Sequence, residues 1–150
     1  MNEDKQGLLS IRLVKSRNYY ECKKNVDELM YKFEEIRFKC HHIEPPKITP
    51  SYEIRYESNS GNISDKIGNY VQRKLDMESE ADKFYIELSN ALRTLCREEL
   101  IYFKNAYYNR IKEELICDLL NMSRDSLRRV KESCIIKVAM YFDVDVMATN

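Results

Sequence analysis

EELICDLLNMSRDSLRRVKE, residues 113–132, is the part of the sequence that is most informative about the fold. Ile116 and Leu120 lie one helical turn apart, and this spacing predicts a short helix with one apolar face. Asn121 follows them, and asparagine tolerates the left-handed backbone conformation that ends many helices. The stretch is therefore predicted to begin as a helix that stops at Asn121.

A second helix is predicted directly after a tight turn. Ser123 is a good N-cap residue for it, and Leu127 and Val130 then face back toward the first helix. Met122 supplies an apolar plug for the turn, and Cys117 is small enough to let the two helices approach closely. This order of apolar, small and turn residues predicts a helix-turn-helix of the kind that binds DNA, with an ordinary helical hairpin as the alternative.

The outward face of the second helix favours the DNA-binding interpretation. Arginine at the start of a helix is unexpected, because the helix dipole favours acidic side chains there, and a nearby phosphate would explain it. A plain solvated surface remains the alternative for adjacent arginines. A recognition helix reaches base edges and phosphates with the side chains at its leading end and on its outward face. The predicted DNA-binding residues are Ser123, Arg124, Asp125, Ser126, Arg128, Arg129, Lys131 and Glu132.

Composition favours an all-α chain of one domain, or of a small domain with an arm. There are 150 residues with only 3 glycines and 3 prolines, and most of the others are good helix formers. The 25 basic and 25 acidic residues cancel, so the chain as a whole does not attract nucleic acid. From Ser123 to Tyr141, however, basic side chains exceed acidic ones by three. DNA binding is therefore expected to depend on a local patch.

Several functional classes are disfavoured. There is no run long enough to span a membrane and no signal-peptide leader, and an odd count of five cysteines indicates reduced thiols in a cytoplasmic protein. Cys40, His41 and His42, with Cys22 upstream, lack the spacing by which metal ligands converge. Because there is also no phosphate-binding loop and no nucleophile motif, we expect neither an enzyme nor a cofactor.

The N-terminal half is predicted to be a helical arm. An apolar stripe with helical spacing runs from about Lys15 to His41, and it must be buried either against the chain, in Ile67 to Leu95, or against a second copy. Pro45 and Pro46 end this helix, and residues 46–56 are expected to be extended. The predicted division is an arm at 1–56, a linker at 57–63 and a DNA-binding domain at 64–150.

The linker is followed by a long predicted helix. Ser64 is the expected cap, and a break is expected near residues 77–79. The residues expected on its inner face are Ile67, Val71, Leu75 and, further on, Phe84, Leu88, Leu92 and Leu95. The last helix is expected to continue to about Phe142, because its apolar stripe extends that far. Residues 143–150 are then expected to form a loose tail.

Residues 95–139 resemble the fourth region of bacterial sigma-70-type factors. In that region a leucine precedes an acid-rich helix, a tyrosine ends it, and a helix-turn-helix with serine at the second cap follows. Asparagine replaces the commoner glycine at position 121, and cysteine replaces the commoner alanine at position 117. The residues that carry the resemblance are Leu95, Glu98, Glu99, Tyr107, Ile116, Leu120 and Ser123.

The whole layout is similar to that of phage late-gene activators of the ArpU and RinA type. In those proteins a helical N-terminal part leads through a proline-containing stretch and a Ser/Asn linker into a sigma-like end, as Pro45–Pro50 and Ser58–Ser60 do here. The resemblance implies a cytoplasmic transcriptional activator that contacts double-stranded DNA and RNA polymerase. The small surface of one helix-turn-helix makes a homodimer the expected binding form.

Two other classes remain open at this point. A small subunit of a phage terminase, which packages DNA, would also be helical and carry a helix-turn-helix, but it would assemble into a ring. A purely protein-binding helical module would show no salt-sensitive affinity for DNA. Mass measurement and salt titration separate these classes from a dimeric regulator.

Overall fold

The computed structural model describes residues 11–41 and 60–149, and the second range has described side chains from residue 67 onward. Within these ranges the chain is mostly helical and contains no strand, which confirms the predicted all-α class. The extended segment expected at residues 46–56 lies outside the described residues. None of the described helices combines the length and the apolar composition that crossing a membrane would require.

A short helical segment at residues 11–15 precedes the named helices. We label the helices α1 (Tyr19–His41), α2 (Ser60–Arg93), α3 (Arg97–Phe103), α4 (Glu113–Leu120) and α5 (Arg124–Tyr141), with a π-helical segment at Lys104–Tyr108 after α3. Contacts divide the chain into two compact units. Among the described residues, 11–31 and 87–149 belong to the first, and 32–41 and 60–86 belong to the second.

Helix α1 buries the stripe that its sequence predicts. Cys22, Val26, Met30 and Phe33 are all less than a tenth exposed, as expected from their helical spacing along one face. This burial occurs within a single copy of the chain, so the apolar stripe is covered in cis. Any contact between copies would have to use other residues.

Helix α2 differs from its prediction in three ways. It begins at Ser60, so residues 60–63 of the predicted linker are helical and Ser64 is not its cap. It runs without interruption through the break expected at residues 77–79, where no glycine or proline interrupts the backbone hydrogen bonds. The first part of the expected inner face is also wrong, because Ile67, Val71 and Leu75 are 40%, 46% and 54% exposed. The later part does face inward, since Leu88 is buried and Phe84 and Leu92 are half-buried.

The inner face of α2 follows a different register in the second unit. Tyr70, Lys74, Met77, Ala81 and Phe84 are half-buried, and the intervals between them alternate between four and three residues. Phe84 stacks on Phe33 of α1, with ring centroids 4.6 Å apart and ring planes 21° apart. Two apolar stripes overlap in this sequence, and packing against α1 selects the one that contains Phe84. The predicted domain boundaries stay a prediction, since residues 57–59 lie outside the described ranges.

The core of the first unit is built around α5. Its C-terminal half buries residues on nearly every side, whereas its N-terminal half buries only Leu127. Helix α3 contributes Tyr102 and Phe103, and the Phe103 ring stacks on Tyr107 at 4.6 Å. The buried residues in the C-terminal half of α5 are Cys134, Ile135, Ile136, Val138 and Ala139.

The expectation of a loose C-terminal tail is wrong. Residues 144–148 run beside residues 16–25, and we call them the C-terminal strap. The Asn18 N–H donates to the Val146 carbonyl at 2.8 Å, and the Ala148 N–H donates to the Ser16 carbonyl at 3.0 Å. Because this pairing satisfies backbone groups at both chain ends, the strap holds the beginning of α1 on the first unit.

Side chains complete the attachment of the strap. Arg17 Nε lies 2.8 Å from Asp145 Oδ2, and both side chains are less than a quarter exposed. Asn25 Nδ2 donates to the Val144 carbonyl at 2.9 Å. These contacts bring residues from opposite ends of the sequence together, which the helical period of either end does not predict.

Asn25→Ala should lower the free energy of unfolding by about 1 kcal/mol, because it leaves the half-buried Val144 carbonyl without its side-chain donor. Urea unfolding at neutral pH measures this loss, and hydrogen exchange at the Ala148 amide should become faster. Glu28→Ala, an exposed position in the same helix, is the matched control. Equal stability of the Asn25 variant and the control would show that the strap contributes nothing measurable.

Candidate nucleic-acid interface

The turn between α4 and α5 has the backbone geometry that the sequence predicts. Asn121 ends α4 with φ 49° and ψ 49°, which is the left-handed conformation. Its N–H bonds to the Asp118 carbonyl at 3.2 Å, and the Met122 N–H bonds to the Cys117 carbonyl at 3.1 Å. The last carbonyls of α4 are thus satisfied within the turn, so the turn is tight and well defined.

The start of α5 is capped as predicted. Ser123 has an extended backbone conformation, φ −72° and ψ 161°, and its Oγ accepts a hydrogen bond from the Ser126 N–H at 3.2 Å. The pair of helices is closed by Ile116, which is fully buried, and by Leu127, which is 2% exposed. These contacts set the direction in which the first two turns of α5 project from the unit.

The predicted DNA-binding residues fall into two groups. Six are exposed, and two are half-buried because they lie toward the neighbouring helices. The Lys131 side chain is 20% exposed and the Glu132 side chain 30% exposed. The exposed six are Ser123, Arg124, Asp125, Ser126, Arg128 and Arg129.

Acidic side chains pair with most of the basic side chains of this surface. Arg124 Nη2 lies 2.9 Å from Glu114 Oε1, and Lys131 also pairs with a carboxylate of α4, that of Glu113. From Glu113 to Tyr141 there are five basic and five acidic residues. The acids of α4 therefore cancel the excess of three positive charges found within α5.

Arg128 and Arg129 differ in whether they are paired with a carboxylate. Arg128 Nε lies 3.1 Å from Glu132 Oε1, one turn further along α5, and this hydrogen bond raises the pKa of Arg128 above its ordinary value. The side chain of Arg129 is exposed and has no ion-pair partner among the described residues. Arg129 is thus the cation of this surface that can meet a new anion without giving up an existing one.

A cleft of about 770 Å³ separates the start of α1 from the helix-turn-helix. Tyr19 and Tyr20 line one side, Lys112 to Glu114 and Cys117 line a second, and the N-terminal half of α5 lines the third. The Tyr19 hydroxyl is buried and finds no hydrogen-bond partner in the described part of the chain. Burial and then the carboxylates of Glu113 and Glu132 raise its pKa well above the ordinary value. From Val130 onward the residues of α5 are half-buried or buried, so the first two turns are its exposed part.

A buried carboxylate holds α5 in position. Glu99 of α3 is only 4% exposed, and it accepts hydrogen bonds from Ser133 Oγ at 2.6 Å and from Lys137 Nζ at 2.9 Å to each oxygen. Its Oε2 also accepts the Cys96 N–H at 3.0 Å. Burial raises the pKa of Glu99, but the hydrogen bonds from Ser133 and Lys137 outweigh it and hold the pKa below its ordinary value. We call these four residues the Glu99 cluster.

The Glu99 cluster is absent from the predicted site. In the sequence Glu99 was notable only as one of two acids in the helix that resembles the sigma-type region. Its four-residue spacing from both Leu95 and Phe103 is the signal that it faces inward, and an acid on an apolar face needs a partner. The partner, Lys137, lies 38 residues away and cannot be identified by spacing.

A second polar contact connects α1 to the π-helical segment. The Tyr107 hydroxyl donates to Asp27 Oδ1 at 2.7 Å, and burial together with this hydrogen bond raises the pKa of Tyr107. Asp27 also pairs with Lys23, one turn earlier in α1. Within the first unit, α1 is therefore held both by the strap at its beginning and by Tyr107 two turns later.

Comparisons with protein-family models, with curated proteins and with solved structures found no match.

Proposed function

We propose that this protein is a sequence-specific regulator of transcription whose helix-turn-helix binds double-stranded DNA. The observation that supports this best is the first half of α5, which is exposed, capped by Ser123 and directed by the Leu127 contact. The open part of α5 presents Arg124, Arg128 and Arg129 on about two turns. Recognition helices in the major groove use such N-terminal positions to contact base edges.

Direct base contact is assigned to the arginines. An arginine guanidinium matches the two acceptors of guanine in the major groove, and each such bidentate pair discriminates strongly against the wrong base. Arg129 can make this contact at once, whereas Arg128 must first release Glu132. Once Arg128 has been released, the Glu132 carboxylate can accept a hydrogen bond from a cytosine amino group.

The wider role follows from the resemblance to ArpU- and RinA-type activators. We propose that the protein activates phage late or packaging genes together with RNA polymerase, in the cytoplasm of the bacterial host. One helix-turn-helix buries a modest area on DNA, so two copies on a repeated half-site are proposed as the binding form. Sedimentation with and without DNA measures this stoichiometry, and eight or more copies would instead indicate a terminase-like ring.

Arg129→Ala should weaken binding to the preferred DNA sequence about tenfold to a hundredfold and relax the preference at one base pair, because a bidentate guanine contact is lost. Arg128→Ala should have a similar but smaller effect, since Glu132 already occupies that guanidinium. Sequencing the duplexes that each variant selects from a random pool gives the preference, and titration of one selected duplex gives the affinity.

Arg73→Ala, an exposed arginine of α2, is the matched control and should select the same sequences as the parent. If Arg128→Ala and Arg129→Ala also select those sequences with the parent's affinity, α5 is not the recognition helix. A parent affinity that does not change with salt would leave the protein-binding module as the better explanation.

A further inference from the structure

The N-terminal segment, residues 11–24, is strongly basic. It carries five basic residues and one acid, Glu21. Arg17 is paired with Asp145 and Lys23 is paired with Asp27. Arg12, Lys15 and Lys24 have exposed side chains with no hydrogen-bond or ion-pair partner among the described residues. Three cations of this segment are therefore available to an anionic partner.

The structure holds this segment beside the helix-turn-helix. The strap bonds to Ser16 and Asn18 through backbone hydrogen bonds of 3.0 and 2.8 Å, so the segment has a defined course. Tyr20, which is 76% exposed, lines the same cleft as Arg128. The segment thus reaches the open part of α5 without any rearrangement of the chain.

The free cations lie within reach of the edge of a groove occupied by α5. Lys24 follows Tyr20 by one helical turn, and Lys15 precedes Tyr19 by four residues, which span at most about 14 Å. The major groove is about 12 Å wide, and phosphates line both of its edges. A duplex whose groove holds the first turns of α5 would therefore present one row of phosphates toward this segment.

The helix-turn-helix has too little net positive charge to bind the phosphates of a duplex strongly. From Glu113 to Tyr141 the five basic and five acidic residues cancel, and Arg124, Arg128 and Lys131 are each paired with a carboxylate. Affinity for a duplex comes largely from phosphates neutralised by lysine and arginine. A surface that contacts bases with so little net charge needs cations from a neighbouring element.

We propose that Arg12, Lys15 and Lys24 contact the phosphate backbone of the duplex whose bases α5 contacts. This inference rests on the proposed DNA-binding function and adds a second element to it. The N-terminal segment supplies sequence-independent affinity, and α5 supplies sequence preference. These separate roles would let a chain with no net charge bind DNA.

The test compares the full-length parent with the variant Arg12→Gln/Lys15→Gln/Lys24→Gln. A matched control, Arg73→Gln/Lys83→Gln/Lys104→Gln, removes the same charges from exposed positions elsewhere in the chain. The probes are a duplex of thirty base pairs selected by the parent from a random pool and a shuffled duplex of equal composition. Affinities are measured between 50 and 300 mM salt, and circular dichroism melts establish that each variant is folded.

The N-terminal variant should bind both duplexes about ten to a hundred times more weakly at 0.1 M salt, and its slope of log affinity against log salt should be shallower by about 2 to 3. The control variant should match the parent, and the ratio of affinities for the two duplexes should stay unchanged in every protein.

Each other outcome overturns the inference in a distinguishable way. If the N-terminal variant has the affinity and the salt slope of the parent, these three residues do not contact phosphates, and the proposed function stands. Equal losses in both variants would indicate a long-range charge effect, and a loss confined to the selected duplex would indicate base contact. Absence of parent binding to any duplex would overturn the proposed function and this inference together.

Discussion

Replacing Lys137 with methionine should lower the free energy of unfolding by about 3 kcal/mol, the lower end of the range for a buried ion pair that loses one partner. Lys137 Nζ bonds to both oxygens of Glu99, whose side chain is only 5% exposed. Without the ammonium, the carboxylate stays buried with only Ser133 and the Cys96 N–H to compensate its charge. Urea unfolding at neutral pH, followed by circular dichroism, measures the loss.

The pH dependence of the same variant identifies the cause. The folded pKa of Glu99 is lowered, so its contribution to stability is present above the ordinary glutamate value of 4.5 and is lost as pH falls through the folded value. The parent should therefore lose stability below about pH 4.5. A protonated Glu99 carries no charge that needs a partner. The difference in free energy of unfolding between the parent and Lys137→Met should therefore become smaller as the pH falls below about 4.5.

The double variant Glu99→Leu/Lys137→Met is the sharper control. It removes both charges at once, and replacing a whole buried pair with apolar groups is often neutral. Its stability should lie above that of Lys137→Met alone. If the double variant is as unstable as the single one, lost side-chain packing and not the uncompensated carboxylate explains the effect.

Leu127→Ala should lower the free energy of unfolding by about 2–5 kcal/mol, as is usual when a buried leucine is truncated. Leu127 is 2% exposed and connects the open half of α5 to the rest of the helix-turn-helix. In a chain of this size the loss corresponds to a drop in melting temperature of about 5–15 °C. Thermal melts followed by circular dichroism measure it directly.

Leu119→Ala provides the matched control for Leu127, because Leu119 has the same side chain in α4 but is 62% exposed. It should melt within about 2 °C of the parent, since surface substitutions rarely matter. Arg129→Ala should also melt like the parent while losing DNA affinity. Equal melting temperatures for both leucine variants would show that the contact between α4 and α5 does not hold the motif together.

The local features of the motif were predictable because their causes act over a few residues. Asn121 can adopt the left-handed conformation, and Ser123 can cap a helix, whatever surrounds them. The buried stripe of α1 was predictable for a similar reason, because one regular period defines one face. Whether that stripe is buried in cis or against a second copy was not predictable, since the helical period carries no information about the surface that covers it.

The long helix α2 shows where periodicity alone is insufficient. Ile67, Val71 and Leu75 share a four-residue spacing as regular as that of any core face, and they are exposed. The half-buried stripe that contains Phe84 faces inward instead, because Phe84 stacks on Phe33 of α1. Two faces with similar local patterns can be told apart only by the surface against which they pack.

Helical period and turn chemistry act locally, and they were enough to predict the all-α class, the helix-turn-helix at residues 113–132 and the outward position of Arg124, Arg128 and Arg129. What surrounds that motif depends on contacts between residues that are far apart in the chain. Cys22 meets Val146 across 124 positions, and Glu99 meets Lys137 across 38. Such pairs form when the whole core closes, because each polar group must find a partner as water leaves, and local spacing does not record which partner that is.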